Sequence, residues 1–299
     1  MTFTASAHLA PYQTDMISQR HRDLTEELLA WSLRACTCQR GAGWHAKRAF
    51  IASTFEIYGA PPDAAPWESL LCARYLIFFL GLDDGSAHEI SDLADRLRTE
   101  HRALGELGEM HRALLTDFGV HAASTARLET EIAQMCTVLS TEKQPDAATM
   151  TWDEFHAGRL ILIGTHPYIT CWRSLRGLLD PQPDPETERL VEWAVEATYL
   201  ANDLASLEKE TRAAEPVTSN SVRFRAHSSG DLNAATDATV DRYNHIVELF
   251  RQTPPTPLIA ILSGAIDGNI NSHLHLSALE YPGAAAALRR LLRVTPTRT

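Results

Sequence analysis

The sequence predicts an all-α protein, with about ten helices forming one bundle. Residues that favour helices, chiefly Ala, Leu, Glu and Arg, recur from one end of the 299-residue chain to the other. Glycine and proline number 15 each, which argues against a sandwich or barrel of short strands joined by many turns. No internal repeat and no long linker divides the chain, so we expect a single domain over residues 1–299, with flexible ends at 1–14 and 290–299.

The individual helices are set by apolar periodicity and by the residues that stop a helix. Near the N-terminus Leu24 and Leu28 begin a helical repeat after an acid-rich start, and Gly41 and Gly43 interrupt it. The prolines of Pro61–Pro66 reset the chain before a long apolar helix. The predicted helices lie at about residues 15–38, 45–58, 67–84, 89–104, 106–118, 124–142, 152–163, 168–179, 185–211, 232–251 and 258–281.

The helix expected at residues 185–211 shows the clearest signals. Asp184 can cap its N-terminus, and Pro185 suits the first helical position. One apolar stripe follows the helix, and Val195 and Tyr199 add apolar character to the opposite face. A helix that is apolar on two sides is buried, so its polar C-terminal half is expected at the mouth of a cavity.

That polar half contains the first candidate site. Asn202, Ser206 and Glu210 follow one another at intervals of four residues, which places three oxygen donors along one face of the helix. Hard oxygen ligands suit Mg²⁺. The alternative is an ordinary solvated face, which the apolar surroundings of the preceding turns make less attractive.

A second acidic site ends the helix expected at residues 67–84. Asp83 and Asp84 follow two apolar stripes, one of which contains Ile77 and Leu80. Two carboxylates at a helix C-terminus oppose the helix dipole, and a bound cation would offset that cost. The alternative is that Asp84 only forms a turn and caps the next helix.

Charge and cysteine content narrow the partners and the compartment. The formal net charge of −11 makes nucleic acid an unfavourable partner, and it would repel an anionic substrate unless carboxylates first gathered divalent cations. Five cysteines in irregular spacing, including Cys36 and Cys38, predict a cytoplasmic protein without disulfides or zinc. The longest apolar run, Tyr75–Leu82, is too short to span a membrane.

The two acidic sites together resemble the metal motifs of class I terpene synthases. Residues 79–84 (Phe-Leu-Gly-Leu-Asp-Asp) are similar to the aspartate-rich motif, and residues 202–210 (Asn-Asp-Leu-Ala-Ser-Leu-Glu-Lys-Glu) match the second motif at each metal-holding position. Arg159, 43 residues before Asn202, stands where the family has an arginine that senses the diphosphate. Gly164 follows at the family's helix break, whose backbone carbonyl acts on the allylic cation. The resemblance implies a helical bundle with a central active-site cavity, and three bound Mg²⁺ ions.

The chain departs from the family pattern in two places. Ala87 stands where the first motif has its third acid, and the next acid, Glu89, is displaced. Near the C-terminus the family has an Arg-Tyr pair that reaches the diphosphate, whereas this chain has Glu280 followed by Tyr281. Tyr281 is retained as a diphosphate contact. The cations that could replace the arginine are Lys209 and two arginines expected in an exposed loop, Arg223 and Arg225.

The resemblance implies a Mg²⁺-dependent lyase that ionises a linear isoprenyl diphosphate, cyclises the carbocation and releases diphosphate. We favour geranylgeranyl diphosphate (C20), with farnesyl diphosphate (C15) next, and we expect Ile77, Leu80, Phe155 and Tyr199 to line the cavity. Three alternatives stay open: a cyclase of bicyclic labdane-type diphosphates, a chain-elongating prenyltransferase, and a non-catalytic helical interaction protein. The oligomeric state is left open between a monomer and a homodimer.

Overall fold

A computed structural model of the chain describes residues 5–36, 40–98, 106–142, 150–180, 182 and 184–295. Within these residues the fold is all-α, as predicted, with fourteen α-helices, two short 3₁₀ helices and no strand. The α-helices are α1 (Ala5–Leu9), α2 (Gln19–Ala35), α3 (Ala42–Gly59), α4 (Pro66–Asp83), α5 (Ala87–Arg98), α6 (Glu106–Gly119), α7 (Ala126–Glu142), α8 (Trp152–Leu162), α9 (Thr165–Leu175), α10 (Pro185–Arg212), α11 (Ser221–Ser229), α12 (Leu232–Gln252), α13 (Pro257–His275) and α14 (Ala284–Leu288).

The two helices that carry the candidate acidic sites lie where the sequence predicts them. Helix α4 begins within one residue of the expected start and ends at Asp83. Helix α10 begins at Pro185, and the Asp184 carboxylate accepts a hydrogen bond from the Thr187 backbone N at 3.2 Å. The predicted cap and the predicted proline position are both confirmed, because each depends only on local backbone geometry.

Several predicted boundaries are wrong. Helix α3 begins at Ala42, so Gly43 lies inside the helix instead of breaking it. Helix α13 ends at His275, six residues before the predicted end at 281. Arg223 and Arg225 lie on α11, and not in the exposed loop that the sequence predicts. Residues 37–38 and 99–104 of the predicted helices fall outside the described residues.

Two compact units make up the chain, and the single-domain expectation with flexible ends stays a prediction. In the first unit α4 packs against α2 and α6, and α6 also contacts α5. In the second unit α10 is the central helix, in contact with α8, α11, α12, α13 and α14. The first unit comprises Met1–Ile57, Asp63–Ser140 and Thr170–Leu178, and the second comprises Tyr58–Pro62, Thr141–Ile169 and Leu179–Thr299.

Helix α10 is buried over its middle turns. Every residue from Ala194 to Ala201 is buried, including Glu196, Val195 and Tyr199. The carboxylate of Glu196 accepts two hydrogen bonds from Arg242 of α12, one of them from Nε at 2.7 Å. The expectation of a helix buried on two sides is therefore confirmed. This burial holds in place the helix that carries the candidate site.

A close backbone contact anchors α13 within the second unit. A Cβ atom added at Gly264 would lie 2.4 Å from the carbonyl oxygen of Gly59, and one added at Gly268 would lie 2.4 Å from the Gly59 Cα. Distances this short leave no room for any side chain, because the opposing atoms belong to the backbone. Glycine at these two positions lets α13 approach the segment Tyr58–Pro62.

The cysteines and the apolar character of the helices were compared with the expectations from the sequence. Cys36, Cys72, Cys136 and Cys171 are buried and form no disulfide within the described residues, and Cys38 lies outside them. In the part of the chain that the structure describes, none of the helices combines the length and the apolar character that a membrane crossing requires.

Candidate active site

The second metal motif forms a partly buried cluster of oxygens on α10. Ser206 and Glu210 are 4% and 9% exposed, and Asn202 is half-buried. The side-chain amide of Asn220 donates to Ser206 Oγ at 3.4 Å and to Glu210 Oε2 at 2.8 Å. Two of the three predicted ligands therefore converge on one point.

Burial makes the carboxyl group of Glu210 unusually basic. Its pKa is raised to about 7, first because burial penalises the charged form and second because Asp203 carries a charge of the same sign. Hydrogen bonds from Ser206 and Asn220 lower the pKa and only partly compensate. A carboxylate in this setting is stabilised strongly by any cation that reaches it.

Arg159 and Asp203 form a buried ion pair between α8 and α10. The Arg159 guanidinium donates to Asp203 Oδ1, and the two side chains are 10% and 0% exposed. The second oxygen, Oδ2, accepts from the Ser221 backbone N at 2.7 Å. Burial raises the pKa of Asp203, while Arg159 and Ser221 act in the opposite direction. Arg159 thus has a protein partner in addition to the diphosphate that the sequence suggested.

Asn202 is bonded to a histidine of α13. Its side-chain nitrogen Nδ2 lies 3.2 Å from Nε2 of His273. The other ring nitrogen, Nδ1, lies 2.8 Å from the backbone oxygen of Asn269. His273 is fully buried, and burial lowers its pKa to about 4. Its ring packs against that of Tyr281, with the two ring centroids 4.4 Å apart and the ring planes at 62°.

Lys209 and Tyr281, two predicted diphosphate contacts, lie together. The Lys209 ammonium is 5.3 Å from the centroid of the Tyr281 ring and 3.9 Å from Glu280 Oε2. Lys209 is 44% exposed in its side chain. A cation therefore stands beside Tyr281, although it comes from α10 and is shared with the acid that replaces the family's arginine.

In the first unit, Asp84 is paired with two side chains of α3. Its Oδ2 atom accepts from Trp44 Nε1 at 2.8 Å and from the Arg48 guanidinium. The Asp84 side chain stays 25% exposed. Asp83, the last residue of α4, is exposed. The first motif is thus partly neutralised by a cation of the chain itself.

Glu89 serves its own helix. Its carboxylate accepts from both the backbone N and Oγ of Ser86 at 2.8 Å, which lowers its pKa and caps α5. The nearest arginine atom, Arg40 Nη2, lies 3.9 Å away. This capping role gives the displaced acid a structural reason that needs no metal.

The helix break predicted near Gly164 is present between α8 and α9. Gly164 is buried and has φ 70°, in the left-handed region that favours glycine. The Tyr168 N lies 3.4 Å from the Gly164 carbonyl oxygen. Pro167 lies in the first turn of α9.

The four predicted cavity-lining residues divide between the two units. In the second unit Phe155 is 2% exposed and stacks on Phe224 with the ring centroids 4.4 Å apart. Tyr199 is fully buried, and its hydroxyl lies 2.7 Å from His156 Nδ1. In the first unit Ile77 is fully buried and Leu80 is half-buried. Their role as cavity lining stays a prediction.

Comparison with known proteins identifies the family. The model of the terpene synthase family 2, described as its C-terminal metal-binding part, matches residues 89–248, more than half of the chain. The chain belongs to this family. It is a class I terpene synthase, a lyase-type enzyme, and the hypothesis of a non-catalytic interaction protein is set aside. The matched residues include Arg159, Gly164 and all three predicted ligands of α10.

Solved structures of low sequence identity share the fold of this terpene synthase. SVS_A2, a protein from ancestral sequence reconstruction, is 17% identical over 93% of this chain and 88% of its own, with a TM-score of 0.68. The 2-methylisoborneol synthase of Streptomyces coelicolor A3(2) is 16% identical over 89% and 93%, with a TM-score of 0.68. The latter enzyme in complex with Mg²⁺ and 2-fluorogeranyl diphosphate is 13% identical over 89% and 94%, with a TM-score of 0.66. No curated protein matches the chain.

Sequence reasoning missed the residues that hold the predicted ligands in place. Asp203 lies inside the second motif, and its position directly after Asn202 is a signal that could have identified it. Asn220 caps α11, and the asparagine after the 3₁₀ turn is a recognisable cap signal. No local signal marks His273 or Arg48, because each meets its partner only through packing.

Proposed function

We propose that this terpene synthase is a Mg²⁺-dependent cyclase of a linear isoprenyl diphosphate, with geranylgeranyl diphosphate preferred and farnesyl diphosphate next. We propose further that it works with three Mg²⁺ ions and in the cytoplasm. The single observation that carries the proposal is the arrangement of Ser206, Glu210 and the Arg159–Asp203 pair around α10. The Mg²⁺ and substrate analogue bound by the related 2-methylisoborneol synthase support the choice of metal and of a diphosphate.

The residues of α10 fit a hard divalent cation. Asn202, Ser206 and Glu210 offer an amide, a hydroxyl and a carboxylate oxygen, the donor types that Mg²⁺ takes. Asp203 and Glu210 bring two buried carboxyl groups to the site, against one buried guanidinium from Arg159. Burial first, and then the like charge of Asp203, raise the pKa of Glu210, and a bound cation would offset both effects. When bound, Mg²⁺ neutralises the diphosphate and makes it a better leaving group.

Arg159 is proposed to bind the diphosphate. Its planar guanidinium has five donors in a fork that can hold two phosphate oxygens at once. A diphosphate brought near the pair would share or take over the guanidinium, and Asp203 keeps the hydrogen bond from Ser221 in either state. Lys209 and Tyr281 are proposed as further contacts to the departing diphosphate.

The carbocation left by ionisation needs an apolar surface and electron-rich rings. Phe155, Tyr199, Ile77 and Leu80 are proposed to supply this surface, and the carbonyl of Gly164 is proposed to act on the allylic cation. Ring faces stabilise positive charge, and apolar side chains keep water away from it. The stacked pair of Phe155 and Phe224 holds one such ring in a fixed orientation.

Asp83 and Asp84 are proposed as the ligands of the first motif. Arg48 and Trp44 hold Asp84 in the ligand-free protein, so a metal that binds Asp84 must compete with Arg48. Asp83 is exposed on the last turn of α4. Glu89 is left out, because capping α5 occupies its carboxylate.

The function is tested by incubating the protein with C10, C15, C20 and C25 linear diphosphates and with a labdane-type diphosphate, with and without Mg²⁺. Mass spectrometry of the products and release of diphosphate are measured together. We expect Mg²⁺-dependent cyclic products from the C20 substrate first. Turnover of the labdane-type substrate alone, or chain elongation when a C5 diphosphate is added, would replace the proposal by one of those two activities.

The residue assignments are tested by single substitutions. Asn202→Ala, Ser206→Ala and Glu210→Ala should each reduce turnover by at least about tenfold, since each removes an oxygen ligand. Arg159→Lys should slow diphosphate release by a factor on the order of ten to a thousand, because an ammonium lacks the planar pair of donors. Glu208→Ala is the matched control, since Glu208 lies on the same helix and pairs with Arg212 at the surface. Normal turnover of all four site variants would refute the assignment.

A further inference from the structure

His273 links the metal motif to the core of the second unit. It is fully buried on α13 and lies between two groups, the side chain of Asn202 and the backbone oxygen of Asn269. The distances from its ring nitrogens to these groups are 3.2 Å and 2.8 Å. His273 is neither in the metal motif nor among the diphosphate contacts.

The two contacts together fix where the proton of the ring lies. A backbone carbonyl oxygen can only accept, so the nitrogen that faces it, Nδ1 of His273, must carry the hydrogen. A neutral imidazole has one N–H, which leaves Nε2 with a lone pair. Only the NH₂ end of the Asn202 amide can donate to that lone pair. The carbonyl end of the Asn202 amide is therefore turned away from the ring.

We propose that His273 is a positioning residue of the metal site, which holds the Asn202 side chain so that its amide oxygen, and not its amide nitrogen, is offered to the cation. This inference rests on the proposed function of Asn202 as a ligand. An amide nitrogen has two hydrogens and no free lone pair, so a flipped Asn202 would present donors to a cation. The choice between the two orientations is made by the proton on His273.

Packing keeps the ring itself from turning over. The Tyr281 ring faces His273 at 62° with a centroid distance of 4.4 Å, and Lys209 covers the same tyrosine. Rotation of the imidazole by 180° would put ring carbons where Nδ1 and Nε2 now lie, which would remove the hydrogen bonds to both Asn269 and Asn202, at a cost that burial makes large. Tyr281 thus supports the metal site through His273.

The first test observes the ring proton. ¹⁵N NMR of the histidine rings in the wild-type protein at neutral pH is compared with the spectra of His273→Phe and His273→Gln, either of which assigns the His273 signals. We expect the pattern of the Nδ1–H tautomer, with a bound hydrogen on Nδ1 and a lone-pair shift on Nε2. A signal from the Nε2–H tautomer would overturn the inference, because the amide oxygen of Asn202 would then face the ring.

The second test measures metal affinity without turnover. The melting temperature is followed as Mg²⁺ is titrated at a fixed concentration of inorganic diphosphate. His273→Phe should raise the Mg²⁺ concentration at half-effect by about 10- to 100-fold, the usual result of losing a partner of a metal ligand. His273→Gln, whose amide oxygen can accept from Asn202 in place of Nε2, should stay within about threefold of wild type. His275→Phe, on the same helix with its ring against Tyr58, is the matched control.

The possible outcomes distinguish a failure of the proposed function from a failure of the proposed role of His273. If Mg²⁺ with diphosphate does not stabilise the wild-type protein, the proposed function fails. If it does, and His273→Phe responds like wild type or like His275→Phe, only the role of His273 fails. If His273→Phe does not fold, His273→Gln and the tautomer of the wild-type ring decide: a 10- to 100-fold loss in His273→Gln or the Nε2–H form overturns the inference.

Discussion

Replacing Arg159 should expose the cost of a buried carboxylate. In Arg159→Met the apolar stem is kept, and Asp203, which is 0% exposed, loses its ion-pair partner. Breaking a buried ion pair from one side costs about 3 to 5 kcal/mol. The loss has an upper limit, because the unpaired Asp203 can become neutral by taking up a proton. For a carboxyl group with the ordinary pKa of 3.8, protonation costs about 5 kcal/mol at pH 7.5 and about 2 kcal/mol at pH 5.5.

The sign of the pH effect follows from this limit. In the variant the folded-state pKa of Asp203 lies above its unfolded value, so the folded protein binds the extra proton and gains stability as the pH falls. We expect urea unfolding to show a loss of about 3 to 5 kcal/mol at pH 7.5 that shrinks to about 2 kcal/mol at pH 5.5. The double variant Arg159→Met/Asp203→Asn should recover most of the loss and show little of this pH dependence. Its amide oxygen can still accept from Ser221.

A loss below about 1 kcal/mol at pH 7.5, the value for an exposed pair, would contradict a cost set by an unpaired buried carboxylate. A loss that persists unchanged in the double variant would also contradict it, because the damage would then come from altered packing at residue 159 and not from an unpaired carboxylate. The variant Arg159→Lys gives a third comparison. It keeps the positive charge, so it should lose less stability than Arg159→Met.

Three further predictions concern the rest of the chain. His111 is buried, which lowers its pKa from 6.5 in the unfolded chain to about 4. The neutral imidazole therefore contributes its full stability above pH 6.5, and this contribution is lost as the pH falls towards 4. In urea unfolding, His111→Leu should reduce the loss of unfolding free energy between pH 7 and 4.5 by about 2 kcal/mol. Gly268→Ala should destabilise the protein by at least about 1 to 3 kcal/mol, because its Cβ would overlap backbone, whereas Gly43→Ala, with nothing within 4 Å, should change stability by less than about 1 kcal/mol or improve it. Arg48→Gln should lower the Mg²⁺ concentration needed for thermal stabilisation with diphosphate by about fivefold, since one competitor for Asp84 is removed and a partly exposed pair is worth about 1 kcal/mol.

Each of these predictions has a clear contrary result. An unchanged acid limb in His111→Leu would mean that the imidazole is protonated without unfolding. Equal stability of the two glycine variants would contradict the close approach of α13 to Gly59. A higher Mg²⁺ requirement in Arg48→Gln would show that Arg48 assists anion binding and does not merely compete for Asp84.

The sequence predicted the elements whose signals are local. The α10 boundary depends on Asp184 and Pro185, which act within the first turn, and the buried middle of the helix depends on periodicity that the sequence displays directly. The short helices α11 and α14 were missed because five to nine residues carry too little periodic signal. Gly43 was given a helix-breaking role from its type alone, although a glycine in a first turn is tolerated.

The candidate site divides in the same way. Asn202, Ser206 and Glu210 could be predicted as a set because one helix fixes their relative positions in any protein. Their partners come from other helices: Arg159 from α8, Asn220 from the cap of α11 and His273 from α13. The positions of such partners depend on packing, for which a single sequence contains no direct signal.

The same distinction explains why charge was harder to predict than ligand type. The family resemblance assigned the diphosphate to Arg159 as its anionic partner. The structure supplies Asp203, 44 residues away, so the guanidinium is already neutralised before any ligand binds. Asp84 is likewise neutralised by Arg48, 36 residues away. One helix is thus enough to define the metal ligands. The electrostatic free energy of binding a cation depends in addition on the charged groups that other helices place beside those ligands.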